Sequence, residues 1–366
     1  MNSLPGQAQP DIYTQLLAEK TKRTLEEFAC FSPPELTVLP SPTSHFRMRA
    51  EFGIWHNELG AHYAMYDIND KSKRILIEEF TIGSQLINDL MPRLIAEVNQ
   101  SSLLKTKLFQ IEFLTTLSGD ALITLIYHRH LDNEWLDHAK ELASRLNIKI
   151  IGRSRKQKLM THDDFVIECL HVNHQPYHYK QIEGGFTQPN ARVCEKMLSW
   201  VQNQCGQQQQ KDLLELYCGN GNFTVALANR FRKVLATEIA KTSCRAAQDN
   251  FVSNNIHNVE IARLSSEEIT QALNKVREFR RLQHLNLDDY QFSTILVDPP
   301  RAGLDERTLL LCSGFERIIY ISCNPITLHD NMKALEKTHR IRAWALFDQF
   351  PYTDHRECGL ILERHY

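Results

Sequence analysis

No Cys-x-x-Cys pair occurs in this chain, although it carries nine cysteines. An odd number of scattered thiols argues against a disulfide framework, a zinc ribbon or an iron–sulfur cluster, and no metal is expected. Such thiols fit a reducing compartment. A surplus of positive charge is also missing: the formal net charge is −2. A polyanionic partner would therefore be held by local basic patches rather than by overall charge. No apolar run is long enough to span a bilayer, and the opening MNSLPGQAQPDIYTQLLAEK is polar, without an apolar core of signal-peptide length. A cytoplasmic chain with no membrane partner and no obligate protein partner is expected. Low-complexity tracts and internal repeats are absent too. What remains is an ordinary globular composition, 42% hydrophobic and 23% charged, over 366 residues. That length exceeds one typical core, so two domains are expected.

The first domain is expected over residues 1–180, α+β and mostly antiparallel. A short amphipathic helix from Asp11 is followed by prolines at Pro33, Pro34, Pro40 and Pro42 that mark a linker. Alternating apolar and polar residues predict strands over Phe46 to Trp55, His62 to Tyr66 and Ile75 to Phe80, an antiparallel meander. Leu86, Leu90, Leu94 and Val98 share one face of a helix predicted from Ser84 to Asn99, with a kink at Pro92. Predicted strands from Phe109 to Leu117 and Ala121 to His128 flank a Ser118-Gly119-Asp120 turn. Asp132 is placed to cap a helix from Asn133 to Leu146. Further strands are predicted over Ile148 to Gly152 and Asp164 to Leu170.

The second domain is expected over residues 181–366, where helices and strands alternate. Strands are predicted at Leu213 to Tyr217, Val234 to Glu238, Val259 to Ala262, Thr294 to Val297 and Arg317 to Ile321, and the longest helix between them at Ser265 to Arg281. Such alternation means a doubly wound α/β fold, a largely parallel sheet with helices on both faces. The last two strands, Ala343 to Phe347 and Gly359 to Glu363, lack an intervening helix and predict an antiparallel closing pair.

In open α/β sheets, ligands and chemistry gather beyond the carboxyl ends of the strands. Four stretches stand at such ends. LLELYCGNGNF (Leu213 to Phe223) is an apolar strand, a turn containing Gly219 and Gly221, then a helix start. It reads either as a tight βα turn or as a cofactor loop, since glycine lets the backbone approach a ligand closely. Glu238 ends the next strand, suited to accept hydrogen bonds from ribose hydroxyls. The third glycine of a dinucleotide fingerprint is missing after Gly221, which disfavours NAD and suits a nucleoside cofactor without a pyrophosphate. Asp298-Pro299-Pro300-Arg301 is a strand running into a rigid carboxylate loop. Ser322-Cys323-Asn324-Pro325 puts a thiol at a strand end, alone either a buried structural cysteine or a nucleophile. Glu357 lies just before the closing strand, and a thiolate and a carboxylate facing one pocket suit nucleophile and general base.

These stretches together resemble the RNA (uracil-5-)-methyltransferase family, which uses S-adenosylmethionine. The matching motifs are FTQPN (Phe186 to Asn190), LLELYCGNGNF, Thr237-Glu238, DPPR (Asp298 to Arg301), SCNP (Ser322 to Pro325) and HRECG (His355 to Gly359). The amino half, through SHFRMRAEFGIWH (Ser44 to His56) and KLFQIEFLTTLSG (Lys107 to Gly119), is similar to the bacterial tRNA-acting branch that forms the T-loop ribothymidine. The ribosomal-RNA relatives carry a cysteine-rich iron–sulfur segment and a small leading barrel, and neither feature is expected here. The resemblance implies a Rossmann-like, seven-stranded methyltransferase sheet behind an α+β RNA-binding domain. It implies cofactor contacts from Gln188, Tyr217, Asn222, Glu238 and Asp298, with Gly219 and Gly221 in the cofactor loop. It assigns Cys323 as nucleophile and Glu357 as proton acceptor. The implied partner is the tRNA T-arm, uridine-54 being methylated at carbon-5, with T-loop-like RNAs such as tmRNA as further candidates.

Carbon-5 of uracil is a poor nucleophile, and a thiolate adding at carbon-6 makes it reactive. A base must then remove the carbon-5 proton so that the thiol can leave. The target base must also leave its stack, at a cost of about a few kcal/mol. Phosphates would be gripped by Arg47 and Arg49, read as two residues of one strand face, and by the runs Lys71 to Arg74 and Arg153 to Lys158. Lys105, Lys107 and Phe109 read either as charge beside a stacking surface or as solvated charges with a core phenylalanine, and His128 either as structural or as approaching the same surface. Arg301 is placed to hold uracil or cofactor. The rivals are a uridine methyltransferase acting on ribosomal RNA, an amino-group methyltransferase, which Arg301 and Cys323 disfavour, and an RNA-binding or RNA-refolding protein that keeps the cofactor fold.

Overall fold

The computed structural model describes residues 5–67, 70 and 72–365. They form two compact units that interleave along the chain. One holds residues 42–169 and 181–191 with the first eleven residues; the other holds 12–41, 170–180 and 192–366. The division differs from a single boundary near residue 180, because the amino-terminal helix and linker pack with the carboxyl-terminal unit.

The chain begins with helix α1 (Pro10–Phe28) and a short strand β1 (Thr37–Leu39), both of the second unit apart from the first residues of α1. The first unit is built on a seven-stranded sheet of order β4-β3-β2-β5-β6-β7-β8. Its strands are β2 (Arg49–Asn57), β3 (Gly60–Tyr66), β4 (Arg74–Leu76), β5 (Leu108–Thr115), β6 (Ala121–Tyr127), β7 (Lys149–Ser154) and β8 (Gln157–Met160). All neighbours are antiparallel except β6 and β7, which are parallel and joined by a helix. Helices α2 (Gln85–Gln100), α3 (Ser102–Lys105) and α4 (Asn133–Leu146) complete the unit. The α2 helix runs on through Pro92 as one element, with Ser84 accepting the Ile87 N–H as its cap. As its sequence predicts, α4 starts at the Asp132 cap, whose carboxylate accepts from the Trp135 N–H at 2.9 Å. Phe52, Leu94, Phe113, Ile123 and Trp135 are all fully buried in one core. Each such side chain contributes about 1.5–3 kcal/mol by leaving water.

Three expectations change here. The strand predicted to Phe80 ends at Leu76, because the Asn88 side chain takes both the N–H and the C=O of Phe80. Strand β8 lies where only a cationic run was read. A hairpin-like pair, β9 (Phe165–Val172) and β10 (Gln175–Ile182), adds a second strand to the one expected there.

The second unit carries an eight-stranded sheet of order β1-β16-β17-β15-β14-β11-β12-β13. Its elements after α5 (Ala191–Cys205) are β11 (Asp212–Leu216), α6 (Asn222–Leu227), β12 (Val234–Thr237), α7 (Lys241–Ser253), β13 (Val259–Ala262), α8 (Ser266–Leu273), β14 (Phe292–Val297), α9 (Glu306–Cys312), β15 (Arg317–Ser322), α10 (Pro325–Leu335), β16 (His339–Phe347) and β17 (Glu357–Arg364). The strands are parallel except β17, which runs antiparallel to both neighbours. Seven strands fit the doubly wound expectation, and β1 adds an eighth by pairing Thr37 to Leu39 with Ala345 to Phe347. The helix expected to Arg281 stops at Leu273, since Lys275 turns left-handed at φ 55°.

The α1 helix is bound into this unit by polar as well as apolar contacts. Phe28 is fully buried against Trp344, with ring centroids 5.7 Å apart. Lys20 is 3% exposed and its ammonium lies 2.8 Å from the Asp348 carboxylate. Removing one partner of such a buried pair costs about 3–5 kcal/mol.

Candidate active site

Strand register brings the expected residues to one edge of the second unit's sheet. Leu216 pairs with both Thr237 and Val297, so Tyr217, Glu238 and Asp298 are the next residues at the carboxyl ends of three adjacent parallel strands. On the far side of β14, Val297 pairs with Tyr320, and β15 runs two residues further, to Ser322. Ser322 in turn pairs with Cys358 on antiparallel β17. The residues just past that pair are Cys323 and Glu357.

The loop after β11 is left-handed three times: Tyr217 at φ 60°, Gly219 at 57° and Gly221 at 80°. For a tyrosine this conformation is strained, and such strain gathers at ligand sites. A Cβ at Gly221 would come within 3.0 Å of Phe251, whereas one at Gly219 meets nothing within 4 Å. The Gly219 N–H donates to the Glu238 carboxylate at 3.1 Å, and the Ala240 N–H donates to its other oxygen at 2.7 Å. Glu238 is thereby fixed at the rim of the glycine turn. Asn222 opens α6; its side-chain oxygen lies 3.5 Å from the Cys194 sulfur, while its buried Nδ2 has no hydrogen-bond partner. A buried donor left unpaired costs about 1–3 kcal/mol unless a ligand accepts from it. The set of Tyr217, Gly219, Gly221, Asn222, Glu238 and Asp298 therefore fits a polar nucleoside ligand.

Cys323 is half-buried in a tight frame. The Asn324 N–H donates to the Ser322 hydroxyl at 3.2 Å, and Asn324 caps α10 by accepting the Ile326 N–H, with Pro325 as the first helical residue. The Asn324 amide donates to the Arg301 carbonyl at 2.9 Å, and the Thr327 hydroxyl donates to the same oxygen at 3.2 Å. These bonds tie the Asp298–Arg301 loop to the loop that carries the thiol. Burial pushes the Cys323 thiol up, as do the charges of Glu357 and Asp298, while Arg301 pulls it down. Burial raises the Asp298 carboxyl to about 7. Glu357, 3% exposed, is raised well above the usual carboxylate range by burial and by Asp298. A desolvated carboxylate of this kind is a stronger base than one in water.

Sequence reasoning missed Glu215. It sits fully within β11, and burial raises its carboxyl to about 8, with Asp298 adding to the rise. The signal available was an acid inside an apolar strand run. Arg356 was also passed over, although it lies beside Glu357 and is only 8% exposed.

Gln188 belongs to the first unit, in the segment ahead of α5. The residues expected to grip RNA also lie there. Arg47 stands before β2, not on it, in isolated bridges to Gly83 and Asn190; its Nε donates to the Arg49 carbonyl at 2.8 Å. The Arg49 guanidinium donates to the Gly185 carbonyl at 2.9 Å. Within the run Arg153 to Lys158, two charges are neutralised internally: Arg153 forks onto Glu183, and Lys158 lies 2.7 Å from Asp164. Arg155 and Lys156 are exposed. Phe109 and His128 stack with ring centroids 4.2 Å apart, and Phe109 is 44% exposed. Arg74 lies over the Trp55 ring at 5.1 Å, and Lys71 falls outside the described residues. Among the described residues no three His, Cys, Asp or Glu side chains group as a metal site, no disulfide joins the cysteines, and no helix is long and apolar enough to cross a membrane.

Known proteins align over the same span. The family model for tRNA (uracil-5-)-methyltransferase matches residues 12–365. A tRNA/tmRNA (uracil-C(5))-methyltransferase of Cellvibrio japonicus is 56% identical over 352 residues, 96% of each chain. One of the same name from Saccharophagus degradans is 54% identical over 365 residues, covering both chains fully. The crystal structure of Pyrococcus abyssi tRNA (uracil-54, C5)-methyltransferase in complex with S-adenosyl-L-homocysteine has the same fold, with a TM-score of 0.72 at 21% identity over 98% of this chain and 87% of that one. A family match over nearly the whole length, with relatives above half identity, makes this chain a member of the tRNA (uracil-5-)-methyltransferase family.

Proposed function

We propose that this chain methylates carbon-5 of the T-loop uridine of tRNA, and of T-loop-like RNA such as tmRNA, through a covalent bond from Cys323 to carbon-6. The observation that carries the reading is the register of β15 and β17, which sets Cys323 and Glu357 side by side beyond the Ser322–Cys358 pair. The relatives' names support the substrate.

Tyr217, Asn222, Glu238, Asp298 and the Gly219–Gly221 turn would hold S-adenosylmethionine, and Gln188 joins that set by resemblance. When bound, S-adenosylmethionine supplies an electrophilic methyl group. The Cys323 thiolate forms its bond to carbon-6 of uracil, and the ring π pair moves onto carbon-5. After carbon-5 is methylated, Glu357 takes its proton. The C–H pair restores the 5,6 double bond, and the carbon–sulfur pair returns to Cys323 as thiolate. Arg301 stabilises the thiolate at both ends of the sequence, in keeping with its downward pull on the thiol. Arg47, Arg49, Arg155, Lys156 and the exposed face of the Phe109–His128 stack are the proposed RNA contacts in the first unit, the RNA-binding domain. The second unit is the methyltransferase domain. A cytoplasmic setting accords with nine cysteines and no disulfide.

The test is tritium release from T-arm RNA labelled at carbon-5 of uracil. Release that depends on S-adenosylmethionine supports the reading. Tight RNA binding without release would favour an RNA-binding protein, and release only from ribosomal RNA fragments would move the substrate.

A further inference from the structure

The loop between β16 and β17 ends at Arg356, one residue before the proposed base. Three side chains of α1 hold this loop. The Lys20 ammonium donates to the Asp348 carboxylate and to the Phe350 carbonyl, each at 2.8 Å. The Thr24 hydroxyl accepts from Arg356 Nη1 at 3.2 Å. The Glu27 carboxylate meets the two terminal guanidinium nitrogens of Arg356, each at 2.9 Å. Tyr13 adds an edge contact to Tyr352, with ring centroids 6.1 Å apart. Tyr13, Lys20, Thr24 and Phe28 are the buried residues of α1, and they recur at helical spacing on one face. Such a face would serve packing alone if it were apolar. Instead its middle turns are polar, and each polar group ends on the segment that leads into Glu357.

We propose that α1 is a positioning element for proton removal: Lys20, Thr24 and Glu27 fix the 348–356 loop, and through Arg356 they fix the backbone from which Glu357 reaches carbon-5. Only one peptide, about 3.8 Å between α-carbons, separates the anchored residue from the base. Bidentate pairing of Arg356 with Glu27 restrains rotation as well as distance. The step served is transfer of the carbon-5 proton to the Glu357 carboxylate, with elimination of the Cys323 sulfur. Addition of the thiolate and methylation precede it and do not need the base. This inference rests on Glu357 being the proton acceptor.

Glu27→Ala, Thr24→Val and Lys20→Met in the full chain test it, beside Glu357→Gln. Single-turnover reactions use T-arm RNA tritiated at carbon-5 and carbon-14 methyl-labelled S-adenosylmethionine. The expected result is tritium release slowed about 10- to 100-fold, with carbon-14 entering a protein–RNA adduct at an unchanged rate. That adduct appears as a slow band on a denaturing gel, and Glu27→Asp recovers part of the lost rate. Glu27 lies at the helix rim, so its variant carries the test if Lys20→Met does not fold. Methylation and release falling together, with no adduct, would show a purely structural helix and overturn the proposal. So would wild-type release in the α1 variants while Glu357→Gln traps adduct. If Glu357→Gln traps nothing, the reading of Glu357 as base fails first and takes the proposal with it.

Discussion

Ser322 and Cys358 face each other across β15 and β17, and one step outward on the two strands stand Cys323 and Glu357. Both strands deliver these residues to one sheet edge, where the Glu357 charge acts on the Cys323 thiol. Cys323→Ala is therefore expected to lower tritium release at least about a thousandfold while RNA affinity stays within about twofold. Gel-shift titration beside the release assay checks both. Near-normal release would remove the thiol from the mechanism.

Asp298 offers a test by pH. Its folded carboxyl titrates at about 7, above the ordinary value of 3.8. A raised carboxyl contributes stability that is complete below pH 4 and is lost as pH climbs through 7, because the folded state binds the proton more tightly. Asp298→Asn removes that loss. Its melting temperature should exceed that of the wild type by about a few degrees at pH 8 and not at pH 4. Equal differences at both pH values would contradict the assignment.

Arg301 opposes the rise of the Cys323 thiol. In Arg301→Gln the thiol should titrate at higher pH, so alkylation of the Cys323 peptide at pH 8 should slow about three- to tenfold. Peptide mass spectrometry after timed iodoacetamide exposure reads it out. An unchanged rate would mean the guanidinium does not act on the sulfur.

The two loop glycines should respond differently. Gly219→Ala incurs only left-handed backbone strain, about 1–2 kcal/mol. Gly221→Ala, at the N-cap of α6, adds a contact at 3.0 Å with Phe251 of α7, so its loss in stability and in S-adenosylmethionine affinity should be the greater. Calorimetric titration and thermal melts of both variants decide the order.

For RNA, charge balance makes a prediction that the sequence alone did not. Arg155→Ala and Lys156→Ala should each reduce the slope of log affinity against log salt by about one. Arg153→Ala should leave that slope nearly unchanged and weaken folding instead, because Arg153 already neutralises Glu183. The reverse pattern would place the phosphates elsewhere.

Much of this architecture was legible because hydrophobic period and turn chemistry are local. The Asp132 cap, the strand at Val259–Ala262 and the antiparallel closing pair all follow from short windows of sequence. So do the strand ends after which Tyr217, Glu238, Asp298 and Cys323 follow. What escaped depends on partners far along the chain. Strand β1 is three residues that become a strand only beside β16. Strand β8 read as a patch of charge because its lysine faces Asp164 and Glu183, residues no local pattern connects to it. Arg356 drew no reading of its own, and only the fold shows Glu27 as its partner.

The pairing of Thr37–Leu39 with Ala345–Phe347 also sets a schedule for synthesis. Roughly 300 residues separate the two, so at about 5–20 residues per second the amino-terminal strand waits about 15–60 seconds for its mate to leave the ribosome. By then every strand of the other unit's large sheet has been made, the last of them ending at Met160. Until then residues 37–39 have no neighbouring strand for their backbone N–H and C=O groups, which water must satisfy.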